Sequence, residues 1–348
     1  MVSDDDLRFW RPYPGVTRRY IDGPEGQLHV VLDTDTYNEV DDQFAVVHAL
    51  LSPERISLEA LYAAPFHNSR SEGPRDGMER SYDEIIRLLE RLGVSETDRV
   101  FKGSDRYLPS ASEHVVSDAA AHMIELSRSG EGPLYVAAIG AITNVASAIL
   151  LDPGITERIV VVWLGGQPTH WPTAKEFNLR QDVPAAQVVL DSGVPFVHIP
   201  CATVASHLLT TISELAEYVK PQGDIGRYLF DICQSYQKNQ YAWSKEIWDI
   251  AVTGWLIDAN WVPSTIVPSP ILTDQVTWSV DASRHPIRIA HGVRRNAIFG
   301  DLFKKMVEEM KLAGELGSLL KIEESIAKAV KEAEEVNQQG NLFAGKVE

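Results

Sequence analysis

Short β-branched and apolar runs alternate along the first 200 residues with stretches whose apolar positions recur at helical spacing. The pattern is sharpest at residues 27–51, QLHVVLDTDTYNEVDDQFAVVHALL. There a β-branched run ends in Asp33, Asp35, Asp41 and Asp42, and an apolar helical pattern follows at once. That order predicts a strand, an acidic loop and a helix. Further strands are predicted at 56–64, 99–102, 133–139, 158–164 and 195–199, with helices at 82–92, 114–127, from 143, and at 183–191. Residues 65–81, PFHNSRSEGPRDGMERS, read as a long polar loop whose arginines and His67 could fringe a pocket. The rhythm is that of an α/β fold with a mostly parallel central sheet and crossover helices. Beyond residue 200 the chain turns mainly helical, with a late hairpin or edge strands at 266–280 and 287–289 and terminal helices at 293–336. Residues 1–26 read as an irregular lead-in, and no linker divides the chain, so one domain over 1–348 is expected.

Composition narrows the partners. The chain has 348 residues and a net charge of −17, from 32 basic against 49 acidic side chains, which argues against nucleic acid or an anionic membrane. A small-molecule substrate is the expected partner. Cys201 and Cys233 lie far apart, without metal-ligand spacing, and read as buried thiols. No apolar run reaches the roughly 18–20 residues that span a bilayer. The N-terminus lacks the apolar core of a signal peptide, so a cytoplasmic location is the default, although removal of a leader would leave the same sequence.

In a parallel sheet the four aspartates fall at the carboxyl edge of the first strand, where ligands bind. Acids so close repel one another unless a cation sits among them or some hold protons, and a hard ion such as Ca²⁺ or Mg²⁺ suits oxygen ligands. Three readings compete. The loop is a solvated helix cap, with Asp41 or Asp42 at the positive helix end. Or Asp33-Thr34-Asp35-Thr36 resembles the DxDxT nucleophile loop of haloacid dehalogenase-type phosphotransferases, which also need a downstream Lys and a second acidic pair not evident here. Or the loop is similar to the DxDxxxDD signature of the nucleoside hydrolases, stretched by two residues to D-T-D-T-Y-N-E-V-D-D.

Four downstream stretches favour the third, and in that family's order. AAIGAITNVASA (137–148) resembles its strand, glycine turn and helix start, though a plain turn capped by Thr143 or Asn144 would read the same. EFNLRQDVPAA (176–186) resembles Glu-Phe-Asn followed by Asp-Pro-Glu-Ala-Ala, and Asp182 also suits a helix cap. EIWDIAVTGWL (246–256) resembles a His-Asp-Pro helix start, with Trp248 in place of the His, Ile250 in place of the Pro, and a helix cap as the bland alternative for Asp249. RRNAIFGDLF (294–303) resembles the start of the C-terminal helix.

The resemblance implies the Rossmann-like nucleoside hydrolase fold, a homo-oligomer, and Ca²⁺-dependent hydrolysis of the N-glycosidic bond of ribonucleosides. On that resemblance Asp35, Asp42, the Ile139 carbonyl and Asp249 hold the ion, and Asp35 is the general base for its water. Asp41, Glu176 and Asn178 bind ribose, and Asp33 orders the loop. His170 and Asn68 fall near positions where the family has asparagines, one of them taken here by Phe66, and Trp248 faces the substrate. An indole cannot deliver a proton at neutral pH, so His67, His170 or a tyrosine of the aromatic run 236–248, where the family places a mobile flap, is left as leaving-group acid. Two further readings stay open: another glycoside or ribosyl compound on the same metal site, or a sugar- or nucleoside-binding protein without turnover.

Overall fold

The computed structural model describes residues 20–94, 97–130 and 132–308. An eight-stranded sheet forms the centre, in the order β3-β2-β1-β4-β5-β6-β12-β9. Its strands are β1 (Leu28–Thr34), β2 (Ile56–Ala63), β3 (Val100–Lys102), β4 (Leu134–Ala138), β5 (Ile159–Leu164), β6 (Phe196–Ile199), β9 (Ser264–Pro268) and β12 (Pro286–Ala290). All neighbours run parallel except β12 and β9, which pair antiparallel at one edge. Two small ladders, β7 (Leu209–Thr210) with β8 (Lys245–Glu246) and β10 (Ile271–Leu272) with β11 (Trp278–Ser279), stand outside it.

Side chains alternate across the sheet because the strand period is two. Val30 and Leu32 of β1 join one apolar cluster with Phe44 and Trp255, whereas Val31 joins a second with Val145 and Val189. The first cluster packs under α1 (Asp42–Leu50), α2 (Pro74–Arg91), α8 (Gly223–Tyr236), α9 (Ile250–Ile257) and the helix at 295–308. The second packs under α3 (Asp118–Ser129), α4 (Thr143–Leu151) and α6 (Val183–Asp191). Between these lie α5 (Phe177–Gln181) and α7 (Ile212–Tyr218). Strands buried on both faces need near-continuous apolar sequence, and β5, Ile-Val-Val-Val-Trp-Leu, is buried throughout.

The strand order reverses at β1, since β2 lies on one side of it and β4 on the other. Such a reversal opens a crevice at the strand carboxyl ends, and the acidic loop follows β1 there. One element departs from expectation. The loop read at 65–81 is shorter, because α2 starts at Pro74. Proline at the first helical position forfeits no hydrogen bond. Gly77 is required three residues on, as a Cβ there would lie 2.0 Å from the Phe66 carbonyl oxygen. A glycine kept for close packing was thus read as a loop residue. The predicted terminal helix is present at 295–308; its continuation to 336 and the lead-in before residue 20 lie outside the described residues. Among the described residues no helix is long and apolar enough to cross a membrane.

Candidate active site

Two helix starts carry the acids. Asp41 stands at the N-cap of α1 and Asp249 at the N-cap of α9, and neither side chain bonds an amide of its own helix. Both turn instead toward Asp42. Ligand atoms of Asp41, Asp42 and Asp249 lie within 4.8 Å of one another. Asp35 adjoins this trio beside Asp42, whose charge acts on it. The Thr34 hydroxyl, at the end of β1, donates to Asp42 Oδ1 at 2.6 Å and fixes its orientation. Gly140 makes room for Asp35, since a Cβ there would come 3.0 Å from the Asp35 Cγ.

All four carboxyls are buried, and burial disfavours their charged forms. Asp41 is pushed up to about 6 by burial and then by Glu39, against the opposing pull of Lys245. Asp42 is pushed up to about 8 by burial and then by Asp41. Burial and the neighbouring aspartates raise Asp35 and Asp249 well above the carboxylate range. The counter-charge in the protein is Lys245, whose Nζ is 3.0 Å from Glu39 and whose charge acts on Asp41. Both oxygens of Asp35 and Oδ1 of Asp41 are buried without a hydrogen-bond donor. Buried orphan carboxylate oxygens are costly unless a cation meets them. The donor set is all oxygen and includes the Ile139 carbonyl on the same cavity wall, so it fits a hard divalent ion. Asn178 Nδ2 donates to that carbonyl at 3.0 Å and to the Leu164 carbonyl at 2.9 Å, which leaves the Ile139 oxygen a second lone pair.

The acids open on a cavity of about 690 Å³, also lined by Glu176, Asn178, Asn68 and Trp248. Glu176 caps α5: it accepts from the Asn178 and Leu179 amides, from the Gly166 amide at 2.6 Å and from the Cys201 thiol. Asp182 caps α6 through the Ala185 amide and also accepts from the Leu108 amide and the Thr143 hydroxyl. Asp33 accepts from Asn144 Nδ2 at 2.7 Å, and Asn144 Oδ1 takes the Ser104 amide, so Asn144 ties the loop to α4 instead of capping it. Burial pushes Asp33 up to about 7. Asn68 donates to Asn38 Oδ1 at 2.7 Å.

Some expected residues fall elsewhere. His170 and His67 are exposed and do not line the cavity, whereas Trp171, next to His170, does. Asp35 is not among the lining residues either, though it neighbours Asp42, which is. Phe66 is core. Of the tyrosines at 236–241, Tyr236 reaches the wall and Tyr241 is 91% exposed.

Glu39 is not singled out by any motif. It lies in the acidic loop between Asp35 and Asp41, bonds the Tyr236 hydroxyl and pairs with Lys245, so it holds both ends of the segment between them. Cys201 is buried as expected, but at the cavity wall. Thr203, also on the wall, takes the left-handed region at φ 60, an uncommon conformation for a β-branched residue that tends to mark sites.

Residues 30–300 match the family described as inosine-uridine preferring nucleoside hydrolase. A probable uridine nucleosidase 1 of Oryza sativa subsp. japonica is 26% identical over 235 residues, 62% of this chain and 72% of that protein. A putative pyrimidine-specific ribonucleoside hydrolase of Shigella boydii is 28% identical over 171 residues, 48% of this chain and 68% of that one. Among solved structures, a purine-preferring ribonucleoside hydrolase from Gardnerella vaginalis superposes with a TM-score of 0.65 at 19% identity, over 82% of this chain and 99% of its own. A plant nucleoside hydrolase superposes with a TM-score of 0.64 at 17% identity, over 80% and 99%.

Proposed function

The chain belongs to the inosine-uridine preferring nucleoside hydrolase family, and on that premise we propose that it hydrolyses ribonucleosides with a Ca²⁺ ion held by Asp35, Asp42, the Ile139 carbonyl and Asp249. When bound, such an ion acidifies a water and orients vicinal sugar hydroxyls. Asp35 takes the proton of the attacking water as general base. Its oxygens, free of other donors, support that role. Asp41 accepts from a ribose hydroxyl. Asn178 offers its Oδ1 to the sugar, because its amide protons are spent on the Ile139 and Leu164 carbonyls. Glu176 braces this wall through Gly166 and α5. Attack at the anomeric carbon passes through an oxocarbenium-like state, which the surrounding carboxylates stabilise.

The observation that carries this reading is that Asp41 and Asp249, at two helix starts, both forgo capping to meet Asp42. Residues 20–308 act as one domain in this reading, since the described sheet spans both apolar clusters. A homo-oligomer in the cytoplasm completes the proposal, and sedimentation of the purified protein tests the assembly.

The test of chemistry is base release from a purine and pyrimidine ribonucleoside panel, with and without chelator. Release that stops with chelator, returns with Ca²⁺ and is lost in Asp35→Ala is expected. Tight binding of a nucleoside without release would replace the hydrolase with a binding protein. Release of a base unaffected by chelator would remove the metal from the mechanism.

A further inference from the structure

Among the described residues that line the cavity, the side chains that most often protonate a leaving base are missing or engaged. No histidine, lysine or arginine is among the described residues that line it. Tyr236 donates its hydroxyl proton to Glu39, and burial with that neighbour holds its pKa above the usual tyrosine value. The Cys201 thiol is already engaged, since it bonds Glu176, which accepts three backbone amides as well. Indoles do not donate a proton for cleavage. The charge of the wall is lopsided too. Glu39, Asp41, Asp42, Glu176 and Asp249 line it. The nearby cations are already used. Lys245 is 4% exposed and paired with Glu39, and the Arg70 guanidinium bonds the Glu39 carbonyl and lies over the Tyr37 ring. Trp171, Trp248 and Tyr236 supply aromatic surface on the same wall, and aromatic faces attract cations.

We propose that the preferred substrate is a ribonucleoside whose base already carries a positive charge, such as an N-ribosylpyridinium or an N7-alkylated purine. This rests on the hydrolase reading above and names its substrate class. The bond between the anomeric carbon and the ring nitrogen breaks with its electron pair going to nitrogen, which cancels the positive charge. Water oxygen bonds the anomeric carbon, and its proton passes to Asp35 and then to solvent. The base leaves neutral and needs no acid. Neutral bases forgo the roughly 10²–10⁴-fold that a positioned acid contributes. Phosphorylated substrates meet an acidic wall and are disfavoured.

The experiment compares guanosine with 7-methylguanosine, and uridine with nicotinamide riboside, on the Ca²⁺-loaded enzyme. The cationic substrate is expected to lead in kcat/KM by roughly 10²-fold or more. Because a charged base leaves faster from any enzyme, binding is read as well. The 1-methylnicotinamide cation should bind at roughly tenfold lower concentration than nicotinamide, and Trp171→Ala should erase most of that gap. Neutral nucleosides cleaved as well as cationic ones, with equal binding of the two probes, overturn the proposal and leave the hydrolase intact. If nothing is cleaved, the hydrolase reading fails, and calorimetry of nicotinamide riboside against uridine still decides the preference: equal affinities overturn it.

Discussion

Acids at helix starts are used in two opposite ways in this molecule. At α6, Asp182 spends its carboxylate on the fold, accepting from the amides of Ala185 and Leu108 and from Thr143. At α1 and α9, Asp41 and Asp249 occupy the same formal position and bond no amide of their helices. An N-cap carboxylate is worth about 1 kcal/mol when it caps, so leaving that unused at two adjoining helices needs another reason. The positive ends of both helices still favour negative charge there. The difference is that satisfied acids hold the chain together, whereas unsatisfied ones wait for something the chain does not contain.

The widest separation is expected from Asp249→Ala. Losing a metal ligand should lower hydrolysis roughly 10³-fold or more and abolish Ca²⁺ binding by calorimetry, without lowering the melting temperature of the metal-free protein. Ca²⁺ at about 100 times its Kd should stabilise the wild type by about 2.7 kcal/mol and the variant not at all. A variant that melts earlier without Ca²⁺ would mean Asp249 serves the fold after all.

Asp182→Ala should do the reverse. It strands three donors in a buried setting, each costing roughly 1–3 kcal/mol, so a loss of roughly 3 kcal/mol or more by denaturant titration is expected, with Ca²⁺ affinity little changed. A large loss of affinity would erase the division between the two kinds of acid.

His198, outside the acidic cluster, gives a stability readout by pH. Its Nε2 donates to the Gly165 carbonyl at 2.6 Å, and burial holds the imidazole down at about 4. The folded value lies below the ordinary 6.5, so the unfolded chain binds more protons between them, and stability falls as pH drops through that window. The loss should approach roughly 3 kcal/mol near pH 4, and subtracting the His198→Gln curve should isolate it. Ser117→Ala, which removes the hydroxyl that takes the Ala120 amide at α3, should cost about 1 kcal/mol and leave activity unchanged.

Much of this was legible in the chain. The alternation of strands and helices, the acids closing β1, and Asp182 as a cap follow from local pattern, because each depends on neighbours within a few residues. The distinction between Asp182 and Asp249 does not. Both are acids before an apolar helix, and only the packing of α9 against α1 turns Asp249 toward Asp42. His170 and Trp171 exchange roles for a similar reason: in an irregular turn no period tells which of two neighbours faces inward. Glu39 and Lys245 stand 206 positions apart, and nothing local pairs them.

The acidic loop also has a layered design. Its base, Asp35, Asp41 and Asp42, is buried, while its apex, Asn38 and Glu39, lines the cavity, where Asn38 accepts from Asn68 and Glu39 grips Tyr236 and Lys245. A change in length at the apex would therefore re-shape the doorway while the acids below stay together. Loop length at this one point becomes a dial for what is admitted, adjustable by insertion or deletion without redesign of the chemistry below.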